Sequence, residues 1–101
     1  MQVYGKEIDF KIGRLKDAAA LETAITNMGE AEEQVRKETK LVKVMSRMND
    51  MFRQFFIDAT GVDVLEECGD LEEAKRAYYE FLGEVGKQKD ALINFSASDI
   101  K

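Results

Sequence analysis

A chain of 101 residues, 45% of them hydrophobic and 35% charged, has enough apolar material for one modest core and too much for a disordered tail. Its formal charge of −5 works against general nucleic-acid or anionic-membrane binding, because both need a concentrated basic surface to displace counterions. One cysteine and no histidine exclude an internal disulfide and remove the usual neutral-pH proton shuttle and metal ligand, so a reducing cytoplasm is the expected compartment.

Residues 1–12 alternate polar and apolar and lack the unbroken apolar run of a signal peptide. They read as a hairpin. Gly5-Lys6 suits a two-residue type II′ turn, pairing Tyr4 with Glu7, Val3 with Ile8, Gln2 with Asp9 and Met1 with Phe10. Met1, Val3, Ile8, Phe10 and Ile12 then share one face, which must rest on helices or on a second subunit, since an isolated hairpin is marginal in water.

After Gly13 the period changes. Leu21, Ala24, Ile25, Met28, Ala31 and Val35 recur at helical spacing, with Asp17 placed as N-cap. Glu30, Glu32 and Glu33 face Arg36, Lys37 and Lys40 as i,i+4 partners on a solvated surface. Asn27 and Gly29 could close this first helix, Thr39 could cap a second, or one long helix could kink at Gly29; a break or bend is favoured over an uninterrupted rod.

The strongest pattern follows: Leu41, Val44, Met45, Met48, Phe52, Phe55, Phe56 and Ala59 form one stripe, widened by Val42, Met51 and Ile57 and ended at Thr60-Gly61. Asp63 with Glu66, and Asp70 with Glu73, have the spacing of acidic N-caps paired with a third-position glutamate, predicting a short helical turn and then a longer helix. That helix turns Leu71, Ala74, Ala77, Tyr78, Phe81, Leu82, Val85 and Leu92 inward and frays near Asn94 into a polar tail. The expected fold is mainly α and a single domain over residues 1–101: a hairpin over 1–12, a bundle of three to four helices over 14–95, and a frayed tail over 96–101.

Sites for chemistry are wanting. Zinc, di-iron and cysteine–histidine templates each need residues that this chain lacks, and the cluster from Glu66 to Asp70 misses the alternating oxygen spacing of a calcium loop. Cys68 stands beside acids that disfavour a thiolate, so it reads as a small packing residue. No catalytic, cofactor-binding or metal-ligating residue is expected.

The Met and Phe stripe serves either as plain core or as a surface shared with a partner or a second copy. The helical stripes and the hairpin offer more large apolar side chains than a thin three-helix layer can cover, which points to a protein interface. Met45, Met48, Met51, Phe52 and Phe55 are the candidate contacts, with Arg47, Asn49, Asp50 and Arg53 as the polar rim.

Three stretches carry a family likeness: the opening "MQVYGKEIDFKIG", the helix end "MFRQFFIDATG" and the closing "AKRAYYEFLGEVGKQKDAL" from Ala74 to Leu92. In their order the chain resembles small tail assembly chaperone-like proteins of phages and prophages of Gram-positive bacteria. Where such proteins often carry a second phenylalanine-glycine after the acidic loop, this chain reads "VLEECGD". The resemblance implies a non-catalytic protein that binds the long, aggregation-prone tape measure protein while tail tube subunits gather, without nucleic-acid or membrane partners and with a tendency to homo-oligomerise. Two other readings compete with it: a small oligomeric structural or scaffold component of a virion, and an acidic regulatory or inhibitor module.

Overall fold

The computed structural model describes residues 1–99 and contains a two-stranded antiparallel ribbon followed by three helices. The strands are β1 (Gln2–Val3) and β2 (Lys6–Glu7); the helices are α1 (Leu15–Lys37), α2 (Leu41–Thr60) and α3 (Leu71–Asp99). The hairpin-plus-helices fold class is therefore the one the periodicity predicts.

The turn of the ribbon lies one residue earlier than expected. Tyr4 and Gly5 both take positive φ, 52° and 73°, the requirement of a type I′ turn, and the register is Gln2 with Glu7 and Val3 with Lys6. Glycine thus serves the second left-handed position instead of opening a II′ turn. The new register keeps the parity of every residue, so the faces survive: Val3, Ile8 and Phe10 are buried, and Met1 and Ile12 are half-buried. Tyr4 holds a strained conformation for a residue with a Cβ, and its hydroxyl is anchored by donating to Glu73 Oε2 at 2.7 Å. That bond also holds the phenol's pKa well above its ordinary value.

Helix α1 runs straight past Gly29, and the break falls later, where Glu38 and Lys40 are extended (ψ 137° and 124°). Glu38 Oε1 accepts the amides of Thr39 and Lys40 there, at 3.2 and 3.4 Å. Asp17 does not cap α1. Arg14 occupies that position without a side-chain cap, while Asp17 accepts the Lys11 amide at 3.0 Å and pairs with Arg14 at 3.3 Å, tying the end of the ribbon segment to the helix. Leu21 and Ala24 are buried and Met28, Ala31 and Val35 half-buried, a seam at strict three-four spacing. Ile25 falls off that seam and is 51% exposed, against expectation. Among the described residues, Glu32 with Arg36 is the one i,i+4 ion pair formed from the charged run, at 2.6 Å.

Helix α2 is the middle element. α1 and α3 both pack against it, and α1 and α3 make no close backbone approach among the described residues. Its end is as expected: Gly61 takes φ 75° and its amide returns to the Ile57 carbonyl at 2.9 Å. Beyond it, residues 64–67 form the short helical turn expected, with Glu66 N donating to the Asp63 carbonyl at 3.3 Å, while the Asp63 carboxylate is held by Arg53 and does not cap. Asp70 does cap α3, accepting the Glu72 amide at 2.8 Å, whereas Glu73 reaches Tyr4 and leaves the capping box open.

Ala74, Ala77, Phe81 and Val85 of α3 are buried, and Leu71, Tyr78 and Leu82 half-buried; Leu92, expected inside, is 50% exposed. The backbone stays helical through Asp99, past the fraying expected at Asn94, while residues 100–101 of the expected tail lie outside the described residues. Gln88 fastens the ribbon segment to α3: its Oε1 accepts the Ile12 amide at 2.9 Å and its Nε2 donates to the Phe10 carbonyl at 3.1 Å. At the centre, Phe81 meets Phe10, Phe55 and Phe56 edge-on, with centroids 5.2, 5.9 and 5.6 Å apart.

The molecule measures 57 × 27 × 20 Å and has a radius of gyration of 15.4 Å, against about 13 Å for a compact domain of this length. It is a long, thin layer. Phe81→Ala is expected to lower the unfolding free energy by about 3–5 kcal/mol, read from urea denaturation with an unchanged slope.

Candidate protein-binding surface

The apolar stripe of α2 divides in its middle. Downstream, Met51, Phe52, Phe55, Phe56 and Ala59 are buried; upstream, Leu41, Val42 and Met45 are 70%, 81% and 41% exposed, and Val44 and Met48 half-buried. Of the five residues expected to meet a partner, Met51, Phe52 and Phe55 are thus core, Met48 is half-buried, and Met45 alone is exposed, though more than half covered. Physically, the division follows from where the neighbours can reach. The seam of α1 thins to half-buried positions beyond Ala24, and α3 begins only at Leu71.

Around Met45 the structure assembles a groove of about 590 Å³. Val42, Met45, Ser46 and Asn49 form one wall, and Gly69, Asp70 and Leu71 the other. The second wall is held in place by a well-anchored loop. Val64, Leu65 and Cys68 are buried beneath it, and the Cys68 thiol donates to the Asp70 carbonyl at 3.2 Å. Arg53 grips Asp63 as a fork, Nε to both carboxylate oxygens at 2.9 Å and one terminal nitrogen to Oδ2 at 2.6 Å. Lys6 Nζ, brought inward by the ribbon's register, donates to the Asp63 carbonyl at 3.3 Å.

The rim expected around the stripe is put to different uses. Arg53 is committed to the loop, Arg47 pairs with Glu38 at 3.5 Å, and Asp50 is exposed. Asn49 turns into the groove wall, and its Oδ1 is buried with no hydrogen-bond partner among the described residues, an arrangement that costs about 1–3 kcal/mol. Charge is unevenly placed. Lys40 and Lys43 are exposed beside Val42 and form no ion pair among the described residues, whereas Glu66, Glu67 and Asp70 are exposed on the loop side.

Such a groove can take up apolar side chains between charged edges. Among the described residues, no group of three His, Cys, Asp or Glu side chains is placed to hold a metal ion, and no helix is long and apolar enough to cross a membrane. Other exposed apolar side chains are Leu15, Ile25, Ile57, Tyr79, Leu92 and Ile93. A second groove of about 430 Å³ lies by the start of α1, lined by Ile12, Gly13, Ala91 and Leu92 among others. A Cβ at Gly13 would come to 3.3 Å from Leu92 Cδ1, a close contact that the half-exposed leucine side chain would have to yield to.

Sequence reasoning missed the loop wall of the first groove. The signal available was the cap at Asp70, which fixes the start of α3 and so leaves the first turns of α2 with α1 on one flank and no part of α3 on the other. No protein family, curated protein or solved structure compared with this chain matches it.

The Arg53 guanidinium, by hydrogen bonding and charge, holds the Asp63 carboxyl below its ordinary value against an opposing desolvation effect. A carboxyl lowered in the folded state stabilises above its unfolded pKa, about 4, and loses that contribution as pH falls through the folded value. Wild type is therefore expected to lose more urea resistance between about pH 4 and pH 2 than Asp63→Asn, the two midpoints converging at the acid end.

Proposed function

We propose that this chain is a non-catalytic protein-binding factor of phage or prophage tail morphogenesis, a tail assembly chaperone whose partner is the tape measure protein. The observation that carries the reading is the divided stripe: Leu41, Val42 and Met45 stand exposed on a helix whose other half is core. Solvating these side chains is unfavourable, and an amphipathic helix of a partner, presenting apolar anchors three and four residues apart, would remove them from water in the groove. Met45 is an adaptable anchor for this purpose, because an unbranched thioether can fit partner segments of differing shape. The chain's formal charge of −5 favours a dispersed complex over an aggregating one. The choice of a tape measure protein comes from the family resemblance of the three stretches described above.

Co-expression with a tape measure protein tests this. The wild-type chain is expected to keep that protein in the soluble fraction and to co-purify with it, and Val42→Asp combined with Met45→Asp to lose both effects by at least about tenfold with circular dichroism unchanged, since both positions lie outside the core. A doubly substituted chain that retains the partner, or a wild-type chain that never holds it, would overturn the proposal.

A further inference from the structure

We infer that the groove beside Met45 takes a cationic amphipathic helix, one that sets a lysine or arginine next to its apolar anchors. The inference rests on the reading of this groove as a binding surface and adds the charge that its partner carries.

Asp70 is the one charged residue among those lining the groove, on the wall opposite Val42, Met45, Ser46 and Asn49. Its carboxylate is exposed but pinned. Oδ1 accepts the Glu72 amide at 2.8 Å as the cap of α3, and the Asp70 carbonyl accepts the Cys68 thiol at 3.2 Å and the Ala74 amide at 3.0 Å. Swinging the carboxylate out to solvent would uncap the helix. Its second oxygen has no hydrogen-bond or ion-pair partner among the described residues. On the α2 wall, the Asn49 amide likewise makes no hydrogen bond among the described residues, and its Oδ1 is buried.

An apolar guest that covers Met45 and Leu71 therefore also strips water from a fixed, unpaired carboxylate. A neutral guest bears that desolvation without return, and an acidic one adds repulsion. A guest cation beside the anchors pairs with the open oxygen of Asp70, and the Asn49 amide, whose terminal torsion is soft, can turn its oxygen to the remaining donors. The contact that weakens a neutral helix thus selects a basic one. Lys43 and Arg47, the cations next to the α2 wall in sequence, do not line the groove, and Arg47 is paired with Glu38 at 3.5 Å. At longer range the formal charge of −5 acts in the same sense, steering cationic segments toward the chain.

Two labelled peptides of about 18 residues, measured against the full chain by fluorescence anisotropy, decide the matter. Both repeat leucine at three-four spacing; one fills its polar face with lysine and the other with glutamate. The lysine peptide is expected to bind with a dissociation constant in the micromolar range, and the glutamate peptide at least about tenfold more weakly. Asp70→Asn keeps the cap, because asparagine serves that position as well as aspartate, and is expected to weaken the lysine peptide about fivefold. Asp90→Asn removes an equal charge about 30 Å further along α3 and is expected to change binding less than about twofold, which separates a local contact from attraction by net charge. Met45→Lys sets a cation in the groove without touching the cap, and is expected to weaken the lysine peptide at least about tenfold while strengthening the glutamate peptide. Circular dichroism checks the fold of each variant. A lysine peptide that binds no better than the glutamate peptide, a folded Asp70→Asn variant whose effect is no larger than that of Asp90→Asn, or a Met45→Lys variant that binds the lysine peptide as wild type does would each overturn the inference. Failure here is separable from failure of the chaperone proposal. A chain that retains the tape measure protein yet shows no charge preference sinks this inference alone, and a preference that follows Asp70 without retention of that protein sinks the chaperone alone.

Discussion

Phe81 stands edge-on to Phe10, Phe55 and Phe56, and that contact joins three parts of the chain at once: the ribbon segment, α2 and α3. Each ring presents its positive edge to a neighbour's negative face, so the cluster adds directional preference to area burial. Its position also decides the outline of the molecule. Because α1 and α3 make no close backbone approach among the described residues, the downstream half of α2 is obliged to supply core to both sides. A closed three-helix bundle would share that duty and cover more of every stripe. An open layer 20 Å thick does not.

The ledge at the start of α2 is a consequence of the same geometry. The loop after Gly61 runs back along α2, held by Arg53 and by the buried Val64, Leu65 and Cys68, and it delivers Asp70 opposite Asn49 and Met45. Asp70 then starts α3 as its cap. On the groove side, the first turns of α2 face only the loop residues Gly69, Asp70 and Leu71. Buried and exposed apolar side chains are thereby separated along a single helix. The aromatic half is core, and the half with Leu41, Val42 and Met45 stands exposed.

Much of this was legible in the residues. The ribbon's facial pattern, the stop at Gly61, the cap at Asp70 and the packing role of Cys68 each follow from local chemistry that tertiary contacts did not override. The turn register was not legible, because Gly5 satisfies either kind of primed turn, and the difference is made by Tyr4, whose side chain is anchored on distant Glu73. Asp17, Asp63 and Glu73 were each assigned a cap on spacing alone and are instead claimed by Arg14, Arg53 and Tyr4. A carboxylate has several suitors in a folded chain, and sequence distance does not rank them. The candidate contacts Met51, Phe52 and Phe55 share a periodicity with Met45, and periodicity reports which face of a helix is apolar without saying how far along that face the neighbours extend.

The thinning of the α1 seam has a dynamic counterpart. Its two buried residues, Leu21 and Ala24, both lie in the first half of the helix, so the remainder of α1 and the first turns of α2 make an arm whose own packing is half-buried side chains and a few surface ion pairs. An arm of that kind lies toward the less stable end of a fold's local openings, below the phenylalanine cluster. Amide protons between Ala31 and Met48 would then exchange with solvent through this partial opening, with protection well below that of Phe55 or Phe81. A bound helix laid on the arm would slow their exchange selectively.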